Sequence, residues 1–211
     1  KKFIRSISQI GFDRIFLTHH HPDHYEFSRD IALRFKTPME MSQFTYTIIG
    51  ADYFKGIEIH LRKEGDIITK SLGQDIIVYE VPGHDEGQLA LAPKNLSWFL
   101  VGDLIQTIGT VVIGGPEGDM QKYFHSLQRV IDLKPKNLIP SHGIIIGGTN
   151  KLVETLKHRM EREEQIKELL KMGRSLKEIL DVVYVGLKPE LLPYALKTIE
   201  AHITKIHNET K

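Results

Sequence analysis

The run Thr18-His19-His20-His21-Pro22-Asp23-His24 concentrates metal-ligand chemistry in one short segment. Imidazole nitrogens and carboxylate oxygens are good donors for zinc and iron. His19 and His21 are two apart on what reads as an extended turn, so both rings can point the same way. Asp23 and His24 follow at a helix start and can reach a second position nearby, so one loop could feed two metals. The plainer alternative is a solvated histidine-rich loop or a tag remnant. A tag, however, is an unbroken run of histidines. It does not interpose Pro22-Asp23 between an apolar strand and a helix.

Three further residues complete a ligand set. His84 follows Val81-Pro82-Gly83, Asp103 follows Phe99-Leu100-Val101-Gly102, and His142 follows Leu138-Ile139-Pro140-Ser141. Each is a ligand-type residue at the end of a strand-like run, beside a glycine or proline that sharpens the turn. Any one alone would read as a capped turn or a surface histidine; together, after the cluster, they form a constellation. The chain has no cysteine, so thiolate ligands and disulfides are excluded. His20 occupies a wildcard position and reads as a non-ligand. His60, His125, His202 and His207 lack comparable context and read as ordinary surface or core histidines. Ser141 reads as a turn residue, not a nucleophile.

This pattern resembles the metallo-β-lactamase superfamily, whose signature is Thr-His-x-His-x-Asp-His followed by separate His, Asp and His ligands. The resemblance covers roughly residues 13–148. It implies a four-layer αββα fold in which His19, His21 and His84 bind a first metal. Asp23, His24 and His142 would bind a second, with Asp103 bridging. The implied cofactors are two divalent ions, zinc first, with iron or manganese as alternatives. Two close metals lower the pKa of a water so that hydroxide exists at neutral pH, and Asp23 would orient that water and pass its proton onward. Oxygen-reducing di-iron members carry glutamate where this chain has His21, which favours hydrolysis. The main zinc β-lactamases use a cysteine ligand, which is absent here.

The tail narrows the resemblance. His158-Arg159-Met160-Glu161-Arg162-Glu163-Glu164-Gln165-Ile166 is similar to a helix of the LACTB2-like branch, in which a small winged-helix-like domain follows the catalytic core. Gly115-Pro116-Glu117-Gly118-Asp119 with Tyr123 and Ser126-Leu127 looks like the same branch. Some relatives there cleave single-stranded RNA. Alternating Arg and Glu at these spacings also make i,i+4 pairs on a solvated face, the weightier reading for most of these charges. His158 and Arg159 are the candidates for contact with an anionic substrate. The family has tens of residues forming its first strands before the cluster, whereas 17 residues precede Thr18 here. The expected fold is therefore αββα without its first N-terminal strands, plus a small helical C-terminal domain.

The elements that must carry these residues follow from periodicity and punctuation. Phe3, Ile4, Ile7 and Ile10 share a helical spacing that Gly11 stops. Residues 14–18 read as a short buried strand, and Asp23 to Phe35 as a helix opened by Pro22. Residues 37–41 and 45–49 hold strand-like pieces around a possible short helix. Strand character recurs at 57–59, 66–68 and 75–81, and residues 89–92 and 96–101 read as a hairpin around Pro93-Lys94-Asn95. Asp119 caps a helix through Leu133, and residues 138–140 form a strand. After Gly147-Gly148 come three helices: 150–172, 175–185 and 189–206. The expected domains are 1–148, catalytic, and 149–211, helical and winged-helix-like.

Hydrophobic content of 41% with 26% charged residues suits a soluble globular chain with a real core. A net charge of +1 gives no compositional case for nucleic acid or membrane, and no apolar run is long enough to span a bilayer. With no signal segment visible, a cytoplasmic location is the default expectation. The functional expectation is hydrolysis of an ester, thioester or related acyl substrate, with a metal-dependent endoribonuclease acting on single-stranded RNA as the alternative. A non-catalytic metal-binding module is the third reading; all seven ligand positions are filled, which argues against it. Monomer and homodimer both stay open.

Overall fold

The structure is a computed structural model and describes residues 11–209. The helical spacing of Phe3 to Ile10 lies outside the described residues. Two compact units divide the chain: Lys1–Glu80 with Gly87–Lys94, and Val81–Glu86 with Asn95–Lys211.

In the first unit β1 (Ile15–Phe16), β2 (Met39–Met41) and β3 (Ile59–Leu61) form a parallel sheet in that order. The ladder runs on past β1, because the Leu17 amide donates to the Glu40 carbonyl at 2.8 Å. The chain therefore leaves the sheet at Thr18, and the histidines begin where regular pairing ends. Leu17, Ala32, Met39, Met41 and Phe54 form the apolar core here. Glu40 points a buried carboxylate out of β2, and Arg14 and Arg62 hold it at 3.1 and 2.9 Å. That pairing offsets the cost of burying the charge. The Arg14 guanidinium also donates to the Ile68 carbonyl. β4 (Ile67–Ser71), β5 (Gln74–Glu80) and β6 (Leu89–Pro93) pair antiparallel, and β6 is buried along its whole length.

The segment expected as one helix from Asp23 is two: α1 (Pro22–Tyr25) and α2 (Ser28–Phe35). The Tyr25 carbonyl accepts from the Ser28 hydroxyl at 2.6 Å and the Tyr53 hydroxyl at 2.5 Å. Two hydroxyls thus take the place of a helical amide. Residues 45–49, read as strand-like from their β-branched run, are instead part of α3 (Gln43–Ile49). Its first turn is closed by Ser42, whose Oγ accepts from the Thr45 amide at 3.1 Å.

In the second unit β7 (Phe99–Gly102) pairs parallel with β8 (Asn137–Pro140), and β8 pairs antiparallel with β9 (Ile146–Gly147). α4 (Met120–Leu133) is capped by Asp119, as its sequence indicates. α5 (Asn150–Lys171), α6 (Leu176–Val183) and α7 (Leu192–Glu209) follow, and no strand follows β9 among the described residues. Ser175 and Glu178 close a capping box on α6. Ile166, Ile179, Val183, Ile199 and Ile206 form the core that the last three helices share.

α5 departs from a plain solvated helix. Its buried stripe is Leu152, Thr155, Arg159, Glu163 and Ile166, so two of its charges face inward. Glu163 accepts from Lys205 Nζ at 2.7 Å and from His202 Nδ1 at 3.1 Å, both on α7. Arg162 donates to the Val183 carbonyl at the end of α6, and its guanidinium lies 4.9 Å from the centre of the Tyr184 ring. Lys157, Glu161, Glu164 and Glu168 do stay exposed, as helical charge alternation predicts.

Candidate metal centre

The first unit carries the cluster. Leu89 N–H holds the Thr18 carbonyl at 2.8 Å, which fixes the exit from the sheet onto β6. His19 is fully buried. Thr18 Oγ1 lies 3.0 Å from His19 Nδ1 and 3.5 Å from His24 Nδ1. A His19 Nδ1–H donating to that hydroxyl leaves Nε2 as the lone pair. That Nε2 sits 3.0 Å from His21 Nδ1. Two ring nitrogens sharing a tetrahedral zinc at 2.0–2.1 Å would be separated by about 3.3 Å, so the pair is spaced as ligands of one ion. The His19 and His24 rings lie 4.0 Å apart. His21 sits at the N-cap of α1, followed by Pro22. The turn of helix therefore presents Asp23 and His24 together, with Asp23 Oδ2 3.5 Å from His24 Nε2. His20 turns to the Phe44 ring, 5.9 Å away.

The second unit carries the rest. His84 Nδ1 lies 2.8 Å from the Val112 carbonyl, so it must be the protonated nitrogen, which makes Nε2 the unprotonated one in the neutral ring. Asp103 Oδ2 stands 3.7 Å from His84 Nε2 and 3.5 Å from His142 Nε2. One carboxylate oxygen thus faces two imidazole nitrogens at close to ligand-to-ligand spacing. His84 and Asp103 are buried, whereas His142 is half-exposed.

Helix α4 builds these two turns. Asp119 N–H donates to the Gly83 carbonyl at 2.9 Å, Ser126 Oγ to the Pro82 carbonyl at 2.7 Å, and Tyr123 Oη to the Leu104 carbonyl at 2.7 Å. Gly83 has φ +131°, and a Cβ there would lie 2.3 Å from Tyr123 Cα and N. The His84 turn can lie this flat on α4 only with glycine. The His142 turn is clamped by Thr107, whose amide donates to the His142 carbonyl at 3.2 Å and whose hydroxyl accepts from the Ile144 amide at 2.9 Å.

The sequence named all seven ligand candidates, and each half of the set is gathered within its own unit. The hydroxyl of Thr107 and the carbonyl of Val112 carry no composition signal, and Thr18 enters the sequence reading only as the first residue of the signature. Tyr123 and Ser126 carry a sequence signal only through the resemblance to the branch. Of the two substrate-contact candidates, His158 is exposed and Arg159 is buried. Partial desolvation of its ring and the neighbouring Arg162 and Arg159 cations push the His158 pKa down. His60 lies beside Glu58 at 2.8 Å, His125 beside Gln121 at 3.2 Å, and His202 is a core residue on Glu163.

Residues 2–142 match the family model of the metallo-β-lactamase superfamily, and the chain belongs to that superfamily. The expected branch is borne out by a beta-lactamase-like protein 2 homolog of Drosophila melanogaster. It is 27% identical over 95% of this chain and 70% of its own length. A hydroxyacylglutathione hydrolase of Bdellovibrio bacteriovorus is 32% identical over 65% of the chain; the match spans about half, 51%, of that protein. A β-lactamase domain protein from Burkholderia ambifaria superposes over 99% of this chain and 72% of its own, with TM-score 0.81 at 20% identity. The expected metallo-β-lactamase fold with its C-terminal helical region is thus the fold of this chain. Histidine and aspartate groups among the described residues could hold a metal ion, and no described helix is long and apolar enough to cross a membrane.

Proposed function

We propose that this chain is a binuclear metal-dependent hydrolase acting on an ester or thioester. The observation that carries the reading is the placement of Asp103 Oδ2 between His84 Nε2 and His142 Nε2, a donor set that suits a bridged pair of divalent ions. His19, His21 and His84 would hold one ion, Asp23, His24 and His142 the other, with Asp103 shared. The order of these ligands along the chain is that of the superfamily, and the geometry inside each unit fits it. When bound, two such ions supply a hydroxide near neutral pH and polarise the scissile carbonyl. Asp23, largely solvent-facing beside His24, is the group placed to hold and pass a proton.

What favours an acyl substrate is the chemistry of the loops after Asp103 and around His142. Residues 104–112 and 143–148 contain no lysine, arginine or aromatic side chain. They expose Ile108, Ile144 and Ile145 at 88, 71 and 63%. An apolar rim suits an acyl chain, whereas a polyanion calls for cations and stacking platforms. The likeness to a hydroxyacylglutathione hydrolase, by its name a hydrolase of an acyl conjugate, points the same way. His158 is the proposed polar contact for the substrate, and the last three helices are proposed as a winged-helix-like appendage. The test is reconstitution with zinc, manganese or iron. It is followed by assays on thioesters, lactones, phosphodiesters and single-stranded RNA, with His21→Ala as control. Thioester or ester turnover that His21→Ala abolishes supports the reading; turnover of RNA alone, or activity unchanged in His21→Ala, overturns it.

A further inference from the structure

Arg159 is 2% exposed on the inner stripe of α5. No carboxylate among the described residues forms an ion pair with its guanidinium. Its contacts include the Val111 carbonyl, to which Nη2 donates, and the Tyr123 ring, whose centre is 5.9 Å from Cζ. Enclosing a cation with such partners is costly. The position does have one distinctive consequence. Val112, the next residue, supplies the carbonyl that orients His84. Tyr123, under the guanidinium, holds the Leu104 carbonyl directly after Asp103.

We propose that Arg159 is a positioning residue: by fixing the Val111–Val112 segment and the Tyr123 ring, it sets the tautomer and plane of His84 and the placement of Asp103. The proposal rests on reading these two residues as metal ligands. It gives the Arg159 motif of α5 a role inside the protein, one residue removed from the site. Side-chain partners that bond a metal-bound histidine directly are worth about 10–100-fold in metal affinity. Arg159 acts one bond further out, so about 3- to 10-fold is expected.

The test compares Arg159→Met, Arg159→Gln and Arg159→Lys with the wild type. Zinc affinity is measured by competition with a chelator. The His84 tautomer is measured by nitrogen-15 NMR of the metal-free protein, at a pH where the ring is neutral. Met and Gln are expected to lower zinc affinity about 3- to 10-fold and to give His84 mixed tautomers. Lys, which can still donate to Val111, is expected to recover most of both. Zinc affinity within about twofold of wild type together with an unchanged Nδ1–H tautomer overturns the proposal. If Arg159→Met does not fold, the contrast between Gln and Lys decides it. If the wild type binds no zinc, the binuclear reading fails, while the metal-free tautomer still decides the role of Arg159.

Discussion

Replacing Gly83 with alanine should damage fold and site together. The new Cβ would stand 2.3 Å from Tyr123 Cα and N, which are backbone atoms of α4 and cannot rotate away. Carbon–carbon contact is comfortable from about 3.5 Å, so the turn would have to lift by about 1.2 Å. Lifting it stretches the bonds from Asp119 N–H and Ser126 Oγ to the Gly83 and Pro82 carbonyls, each worth about 1 kcal/mol. Strain at φ +131° adds about 1–3 kcal/mol, and overpacking about 1–3 kcal/mol. Because relief of one term relieves the others, a total near 3–5 kcal/mol is expected, a large share of an ordinary domain's stability. The assay is urea denaturation of the metal-free protein, followed by zinc titration of whatever folds. His84 is the next residue, so zinc affinity should fall as well. Gly147→Ala is the control, since nothing lies within 4 Å of its Cβ position, and a change under about 1 kcal/mol is expected there. A Gly83→Ala protein within about 1 kcal/mol of wild type that binds zinc normally would refute the reasoning about this turn.

Other outcomes follow from the same structure. Burial pushes the Tyr123 hydroxyl up to about 12, with Arg159 opposing. The folded state therefore keeps a proton that the unfolded chain releases near pH 10, so this contribution is complete below about pH 10 and is lost as pH rises toward about 12. It amounts to about 3 kcal/mol; Tyr123→Phe should flatten that alkaline decline in denaturation midpoints. For Glu163, burial opposes ionisation, but hydrogen bonds from His202 and Lys205 hold its pKa below the usual carboxylate value. Its stabilisation is present above the ordinary carboxylate range and is lost as pH falls through the folded value. Glu163→Gln should cost about 2–4 kcal/mol near neutral pH, because Lys205 keeps Glu209 as a partner at 2.6 Å, and should show a shallower acid decline. Ile144→Ser should raise KM for an acyl substrate about 10-fold, the worth of an apolar contact of one to two kcal/mol. With stability and kcat largely unchanged, that result would place the substrate on the rim, and an unaltered KM would remove it from there.

The candidate ligands were legible because their chemistry lies in side-chain type and their position in punctuation. His84, Asp103 and His142 each end an apolar run at a glycine or proline, and the structure finds each at such a turn. What stayed hidden was what orients them. The Val112 carbonyl is a backbone group, and nothing in the residue type marks it. α2 starts late because Tyr53, 28 residues downstream of Tyr25, donates to the Tyr25 carbonyl that a local reading assigns to the helix. The run Thr45-Tyr46-Thr47-Ile48-Ile49 has β propensity, and the cap at Ser42 overrode it. In α5, Arg159 and Glu163 sit at a spacing that suits a solvated pair as well as a buried stripe. Only partners far along the chain, Val111 for one and His202 with Lys205 for the other, decide between them.

The most direct test of the central claim is the number of zinc ions per chain, read by native mass spectrometry after reconstitution, for wild type and Asp103→Asn. A bridging Asp103 predicts two ions on the wild type and loss of at least one from the variant. A wild type that holds none, or an Asp103→Asn protein that still holds two as tightly, would contradict the binuclear site.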